Sequence, residues 1–160
     1  ILYQVSALKG ITESYGKKLH HVKPHGALYN IASVNDDIAE TIVLTIKKID
    51  PNLKLYGPSK MKWKEISKKH KIEYVSEVFS DRNYNDNLTL VDRDNENSMI
   101  TDIDNSINHL SRMIENGKVK TINKKFIDID AETICIHGDQ PNAHIFAKTI
   151  YNTFKSKIVK

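Results

Sequence analysis

Cysteine is almost absent from this chain of 160 residues: Cys135 is the single one, which excludes an intrachain disulfide. Such usage fits a reducing compartment. Long apolar runs are absent as well, since no stretch reaches the length of about 18 residues that spans a bilayer as a helix. The first residues also lack the basic and then apolar segments of a secretory signal. We therefore expect a cytoplasmic protein with no membrane partner.

Common signatures of nucleotide-binding and nucleophilic enzymes are missing. The chain has six glycines, and none forms a GxGxxG dinucleotide motif, a phosphate-binding loop or the GxSxG turn of a serine nucleophile. Nothing in the sequence therefore favours a dinucleotide-dependent enzyme, a P-loop NTPase or a serine hydrolase of that type. The candidate catalytic groups of this chain are therefore its ionisable side chains.

Positive charge is in modest excess, with a formal net charge of +4, and it is densest in residues 60–71. Lysines with Trp63 among them can bind a nucleic-acid strand, the lysines through its phosphates and the tryptophan by stacking on a base. The alternative is a lysine-rich, solvated helix face with Trp63 and Ile66 turned inward. The lack of a nucleic-acid-binding motif favours this alternative, and we predict no nucleic-acid partner.

Apolar periodicity predicts alternating helices and strands. The predicted strands are "KLHHVKP", "LKLYG", "IEYVSEVF" and "TICIH". The predicted helices are the opening segment, residues 34–50 with Asn35 or Asp36 as cap, residues 59–70 with Ser59 as cap, residues 101–117 with Thr101 or Asp102 as cap and Gly117 at the end, and a last helix after Asp139. "HGALYN" and the polar residues 80–100 are predicted loops. Such alternation is typical of a parallel sheet with helices packed outside it, and we predict one α/β domain over residues 1–160.

Ionisable residues cluster where three of the predicted strands end, which is where parallel α/β folds place their chemistry. The first cluster holds Lys23 and His25, which point to the same side of an extended segment. Lysine can stabilise developing negative charge, and histidine can transfer a proton near neutral pH. The alternative is a surface loop in which these charges are incidental.

The second cluster follows the third predicted strand. Glu77 can act as a general base if its pKa is raised. Arg82 can either pair with Asp81 and shape the loop or bind a carboxylate or phosphate with two hydrogen bonds. Tyr84 completes the cluster. The alternative is a polar exit from the strand with no part in catalysis.

The third cluster is His137 and Asp139, at the end of the last predicted strand. A histidine beside a carboxylate is a plausible proton shuttle, whereas Asp139 can also simply cap the last helix. His25, His137 and Asp139 are of donor types that metals accept, but no tight ligand spacing accompanies them, and we predict no metal site. Cys135 lies in an apolar run and is expected to be buried.

Three blocks at these clusters carry a resemblance: "HVKPHGALYN" at 21–30, "SEVFSDRNY" at 76–84 and "TICIHGD" at 133–139. They resemble the LamB/YcsF family, the A subunits of bacterial 5-oxoprolinase. The resemblance implies an irregular (β/α) barrel of glycoside hydrolase/deacetylase type. It also implies a hydrolase of a cyclic amide C–N bond, which opens 5-oxoproline (pyroglutamate) to L-glutamate. ATP would be used through the partner B and C subunits.

The resemblance also implies a set of site residues. The catalytic residues would be Lys23, His25, Glu77, His137 and Asp139. The substrate-binding residues would be Asn30, Asp81, Arg82 and Tyr84. In this assignment lysine polarises the carbonyl, the histidines transfer protons, and the arginine holds the substrate carboxylate or stabilises its loop.

Family blocks such as "DLNCDLGE", "NIACGFHAGD" and "GAHPGYPD" do not occur in this sequence. No capping residue precedes the helix that opens at Ile1. We therefore expect the C-terminal two thirds of the family pattern, a barrel incomplete at its N-terminal side. One alternative is a truncated, inert assembly module whose exposed sheet edge forms a homo-oligomer or recruits another chain. Another is a metal-dependent deacylase of the same fold.

Overall fold

A computed structural model describes residues 1–139 and 142–158 of the chain. The chain divides into two compact units, Ile1–Ser76 and Glu77–Lys160. They are called unit 1 and unit 2, and each is described by itself. Strand β3 (Tyr74–Phe79) runs across the boundary between them.

Unit 1 alternates helices with short strands, as the periodicity predicts, except that two helices follow one another after the first strand. Its elements are α1 (Leu2–Ser14), β1 (His21–Val22), α2 (Gly26–Val34), α3 (Asp36–Ile49), β2 (Lys54–Pro58), α4 (Trp63–Lys69) and the start of β3. Strands β1 and β2 are parallel, with Val22 opposite Leu55. The Leu55 N–H donates to the Glu73 carbonyl, so the chain enters β3 beside β2.

The core of unit 1 forms on one side of α3. Its buried residues recur at helical spacing and pack against buried residues of β2 and α4. This core contains Ala39, Ile42, Val43, Ile46, Leu53, Leu55 and Trp63. The Asn35 side chain accepts from the Ile38 N–H at 3.1 Å and caps α3, as predicted. The Trp63 indole N–H donates to the Ala32 carbonyl, which ties α4 to α2.

Unit 2 begins with the second half of β3, which pairs with a strand far along the sequence. Its elements are α5 (Ile103–Asn116), β4 (Lys118–Lys120), β5 (Phe126–Asp128), β6 (Thr133–Cys135) and α6 (Ala143–Phe154). Strands β3 and β6 are parallel, with Glu77 opposite Thr133 and Phe79 opposite Cys135. Asp102 caps α5, and Gly117 ends it in the left-handed region at φ 61°, both as predicted.

One predicted loop and two helix caps considered from the sequence are not found in the structure. "HGALYN" is not a loop: His25 is the extended N-cap of α2, whose residues Tyr29 and Ala32 are buried one turn apart. Ser59 does not cap α4, because that helix begins at Trp63 after Lys62. Asp139 does not cap α6, whose N-cap is Asn142.

The antiparallel hairpin of β4 and β5 was also missed by the sequence reasoning. Strands of three residues are too short for a reliable apolar periodicity. Among residues 1–139 and 142–158, no helix is long and apolar enough to cross a membrane.

Gly57 on β2 sits against two aromatic side chains of unit 1. A Cβ added there would lie 2.5 Å from Tyr74 Oη and 2.6 Å from Trp63 Cε3. Gly57→Ala should therefore lower the free energy of unfolding by about 1–3 kcal/mol, the usual cost of overpacking a core. Urea denaturation measures this change.

Gly10 provides the matched control, since a Cβ there meets no atom within 4 Å. Gly10→Ala should raise stability by roughly 0.5–1 kcal/mol, because Gly10 lies inside α1. Equal effects of the two substitutions would contradict the packing described for Gly57.

His109 is a buried imidazole on α5, in unit 2. Only 5% of the residue is exposed, its ring stacks on Tyr84 at 5.9 Å, and it is hydrogen-bonded to the backbone of Arg82. Burial lowers the pKa of His109 to about 4, with a smaller contribution from Arg112. The folded state therefore keeps this ring neutral where the unfolded chain would protonate it.

This difference predicts a pH dependence of stability. Between pH 6.5 and about 4 the unfolded state binds the extra proton, so the free energy of unfolding falls as pH falls through that window. The loss attributable to His109 is about 3 kcal/mol at most. Urea denaturation at pH 7.5, 5.5 and 4.5 should show a weaker pH dependence in His109→Gln than in the wild type.

His144→Gln is the control, since it removes an exposed imidazole from α6. If His109→Gln retained the full wild-type pH dependence, the buried neutral imidazole would not be responsible for it.

Candidate functional site

A carboxylate and an imidazole meet where β3 and β6 end in unit 2. The two oxygens of Asp81 lie 2.9 and 3.1 Å from Nδ1 of His137. The Asp81 side chain is completely buried, whereas a quarter of the His137 side chain is exposed. The structure thus brings together two of the residues that the sequence selected for the site.

The parallel strand pair sets this meeting. Beyond the last paired residues, the Ser80 N–H and hydroxyl both donate to the Cys135 carbonyl at 3.1 Å. Asp81 and His137 follow on these two strands and are therefore neighbours. The His137 ring also stacks on Phe79, with ring centroids 5.6 Å apart and an angle of 18° between the planes.

The backbone around Asp81 is fixed from a second direction. The Asp81 carbonyl accepts from the Ile100 N–H at 2.9 Å, and the Ser80 carbonyl accepts from the Ser106 hydroxyl at 2.8 Å. These bonds connect the end of β3 to α5 and to the residues that precede it.

The geometry assigns a tautomer to His137. An ionised carboxylate only accepts hydrogen bonds, so when Asp81 is ionised this contact requires the proton on Nδ1. Nε2 is then the nitrogen that can accept a proton from a bound molecule. A buried carboxylate also stabilises the imidazolium that forms when this happens.

Arg82 is buried, with 4% of the residue exposed. Its Nη2 donates to the Val91 carbonyl at 2.5 Å, and its Nε donates to the Ser98 carbonyl at 3.4 Å. Burial is the main cause that lowers the pKa of Arg82. Of its two predicted roles, these contacts favour stabilising the loop over holding a substrate.

Tyr84 and Glu77 are also buried in unit 2, with 3% of each residue exposed. The Tyr84 hydroxyl accepts from the Phe79 N–H at 2.9 Å, and burial raises the pKa of the phenol. Tyr84 therefore supports the end of β3 from within the core. Glu77 lies on β3, opposite Thr133 of β6.

Asp139 lies two residues beyond His137, with 70% of its side chain exposed. Its Oδ2 is 3.8 Å from Nη1 of Arg93, a residue that the sequence reasoning did not select. The sequence offered one signal for Arg93, which lies in the long polar loop after a predicted strand that carries ionisable residues.

The remaining predicted residues belong to unit 1. Lys23 is half-buried after β1, whereas His25 and Asn30 are exposed at the cap and on the surface of α2. His21 stacks on Tyr56 at 4.0 Å, and its pKa is lowered, chiefly by burial.

In residues 1–139 and 142–158, no three His, Cys, Asp or Glu side chains form a group that could hold a metal ion. Cys135 is buried, as predicted.

Comparison with known proteins covers the whole chain. The model of the LamB/YcsF family matches residues 1–160. The chain is 41% identical over 156 residues to the A subunit of 5-oxoprolinase from Bacillus cereus strain AH187, a match that covers 97% of this chain and 62% of that protein. It is 40% identical over 155 residues to the A subunit of 5-oxoprolinase from Bacillus cytotoxicus, with the same shares covered.

A solved structure agrees with these relatives. The crystal structure of a lactam utilization protein from Thermus thermophilus matches with a TM-score of 0.86 and 33% identity, over 98% of this chain and 62% of that one. The chain thus spans about three fifths of the length of the relatives it matches. With a family model matched from end to end, the chain belongs to the LamB/YcsF family.

Proposed function

We propose that this chain serves as the A subunit of 5-oxoprolinase and hydrolyses the cyclic amide bond of 5-oxoproline to give L-glutamate. Support comes from the relatives of that name and from the lactam utilization protein with the same fold. The observation in this chain that carries the proposal is the buried Asp81 carboxylate against Nδ1 of His137. The partner B and C subunits would use ATP to activate the lactam.

In this reaction His137 acts as the general base. Its Nε2 takes a proton from water as the water oxygen attacks the lactam carbonyl carbon. Asp81 stabilises the resulting imidazolium and holds the ring in position. The C–N bond then breaks, and the imidazolium returns the proton to the departing ring nitrogen, which becomes the amino group of glutamate. A phosphoryl group that ATP has supplied to the carbonyl oxygen would remain on the product as an acyl phosphate, which a second water would hydrolyse to free phosphate and the carboxylate of glutamate.

Five other residues keep their predicted roles within the proposal. Lys23 would polarise the lactam oxygen, His25 would assist proton transfer, and Asn30 would contact the substrate. Glu77 and Asp139 would supply carboxylates near the reacting groups, as the family resemblance implies. Arg82 and Tyr84 were predicted to bind the substrate; in this proposal they would instead support the loop and the end of β3, in line with their burial.

Substitutions at His137 and Asp81 test the base. With ATP, 5-oxoproline and the partner subunits present, His137→Ala should lower the kcat for glutamate release by roughly 100- to 10,000-fold. Asp81→Asn should also lower kcat strongly, because a neutral amide cannot stabilise an imidazolium. His144→Ala is the control for loss of an exposed histidine.

Wild-type turnover in His137→Ala would remove His137 from the mechanism. Failure of the unaltered chain to release glutamate with its partner subunits would instead favour the alternative of an inert assembly module.

Lys23 and His25 can be tested separately, because they lie in unit 1. Lys23→Ala and His25→Ala should each lower kcat/KM at least tenfold, since each would remove a group that acts on the reacting carbonyl or its protons. Lys17→Ala, at an exposed lysine that precedes β1, is the matched control. Unchanged kcat/KM in both variants would show that the first block of the family resemblance takes no part in catalysis.

A further inference from the structure

An exposed guanidinium stands beside the turn that follows His137. The chain has three arginines. Arg82 is buried and bonded to loop carbonyls, and Arg112 lies exposed on α5. Arg93 belongs to the loop between β3 and α5, and its Nη1 is 3.8 Å from Asp139.

The loop holds Arg93 from both sides. Before it, the Val91 carbonyl accepts from Arg82 Nη2 at 2.5 Å, and the Val91 N–H donates to the Asn83 carbonyl at 3.0 Å. After it, the Ser98 carbonyl accepts from the Asn83 N–H at 3.0 Å and from Arg82 Nε at 3.4 Å. The residues directly after β3 thus anchor both ends of the segment that carries Arg93.

Turns order the exposed tip between these anchors. The Asn95 N–H donates to the Asp92 carbonyl at 3.0 Å, and the Ser98 N–H donates to the Asn95 carbonyl at 2.9 Å. The Asp92 side chain accepts from the Asp94 N–H at 3.0 Å. Arg93 is therefore presented on a structured turn, which lowers the entropic cost of binding a ligand.

The contact between Arg93 and Asp139 is weak enough to be replaced. At 3.8 Å the two atoms lie beyond hydrogen-bond distance, and 57% and 70% of the two side chains are exposed. Exposed ion pairs of this kind contribute little to stability. Arginine can bind a carboxylate through two parallel hydrogen bonds. A ligand carboxylate that makes both bonds to Arg93 can therefore displace Asp139, which contacts Arg93 at one long distance.

We propose that Arg93 binds the carboxylate of the substrate and thereby selects carboxylated lactams over neutral ones, an inference that rests on the proposed function. In 5-oxoproline the carboxylate is attached to the carbon next to the ring nitrogen. Binding it beside the 137–139 turn orients the ring relative to His137. Arg82 acts as the positioning residue that holds the loop carrying Arg93.

The test compares 5-oxoproline with 2-pyrrolidinone, the same ring without the carboxylate. Isothermal titration with the chain gives the affinity for each lactam, and the assay with partner subunits gives KM and kcat. Arg93→Ala should raise the Kd and KM for 5-oxoproline by roughly 10- to 100-fold, the range of a hydrogen bond to a charged group. Binding of 2-pyrrolidinone should stay at the wild-type level, and kcat should change less than about threefold.

Two further variants sharpen the comparison. Arg93→Lys keeps the charge without the two-pronged geometry and should recover only part of the affinity. Arg112→Ala removes an exposed arginine from α5 and should leave both affinities unchanged. Because Arg93 is exposed, we expect its variants to unfold at the wild-type temperature, and circular dichroism checks this.

The outcomes separate this inference from the proposed function. Glutamate release with a wild-type KM in Arg93→Ala would overturn the role of Arg93 and leave the proposed function standing. A second outcome is that the wild-type chain binds 5-oxoproline, loses this binding in Arg93→Ala, and releases no glutamate with its partners. That outcome would support the role of Arg93 and overturn the proposed function. If the Kd for 5-oxoproline were the same in Arg93→Ala and in the wild type, the inference would be wrong whether or not glutamate is released.

Discussion

The contact between the Asp81 carboxylate and the His137 imidazole is the constraint on which the proposed site depends. Burying an ionised carboxylate costs several kcal/mol unless it is paired, so the fully buried Asp81 requires a donor at this position. His137 supplies that donor through Nδ1, and the proposed proton transfer uses its Nε2. The parallel pairing of β3 with β6 brings the two residues together across 56 positions of sequence.

The loop after β3 extends this arrangement through a division of roles between two arginines. Arg82 is buried and uses its donors on loop carbonyls, which lowers its capacity to hold a ligand. Arg93 is exposed and carries the charge that faces Asp139. The buried Arg82 and the exposed Arg93, to which we assign the positioning and binding roles, are separated by a short, ordered segment of chain.

The sequence was sufficient for features that depend on neighbours along the chain. The caps at Asn35 and Asp102 and the end of α5 at Gly117 follow from local hydrogen bonds and backbone preference. The hairpin of β4 and β5 was missed because its strands are too short for periodicity. The pairing of Asp81 with His137 was missed because it depends on which strands are adjacent, a property that one sequence does not reveal.

Nitrogen chemical shifts of the His137 ring provide the most direct test of this account. In the chain labelled with ¹⁵N on histidine, we expect neutral His137 to carry its proton on Nδ1, and we expect this preference to be lost in Asp81→Asn. The signal that disappears in His137→Gln identifies the resonances of His137. A wild-type ring protonated on Nε2, or one whose tautomer is unaffected by Asp81→Asn, would contradict the claim that the buried carboxylate fixes this histidine for proton transfer.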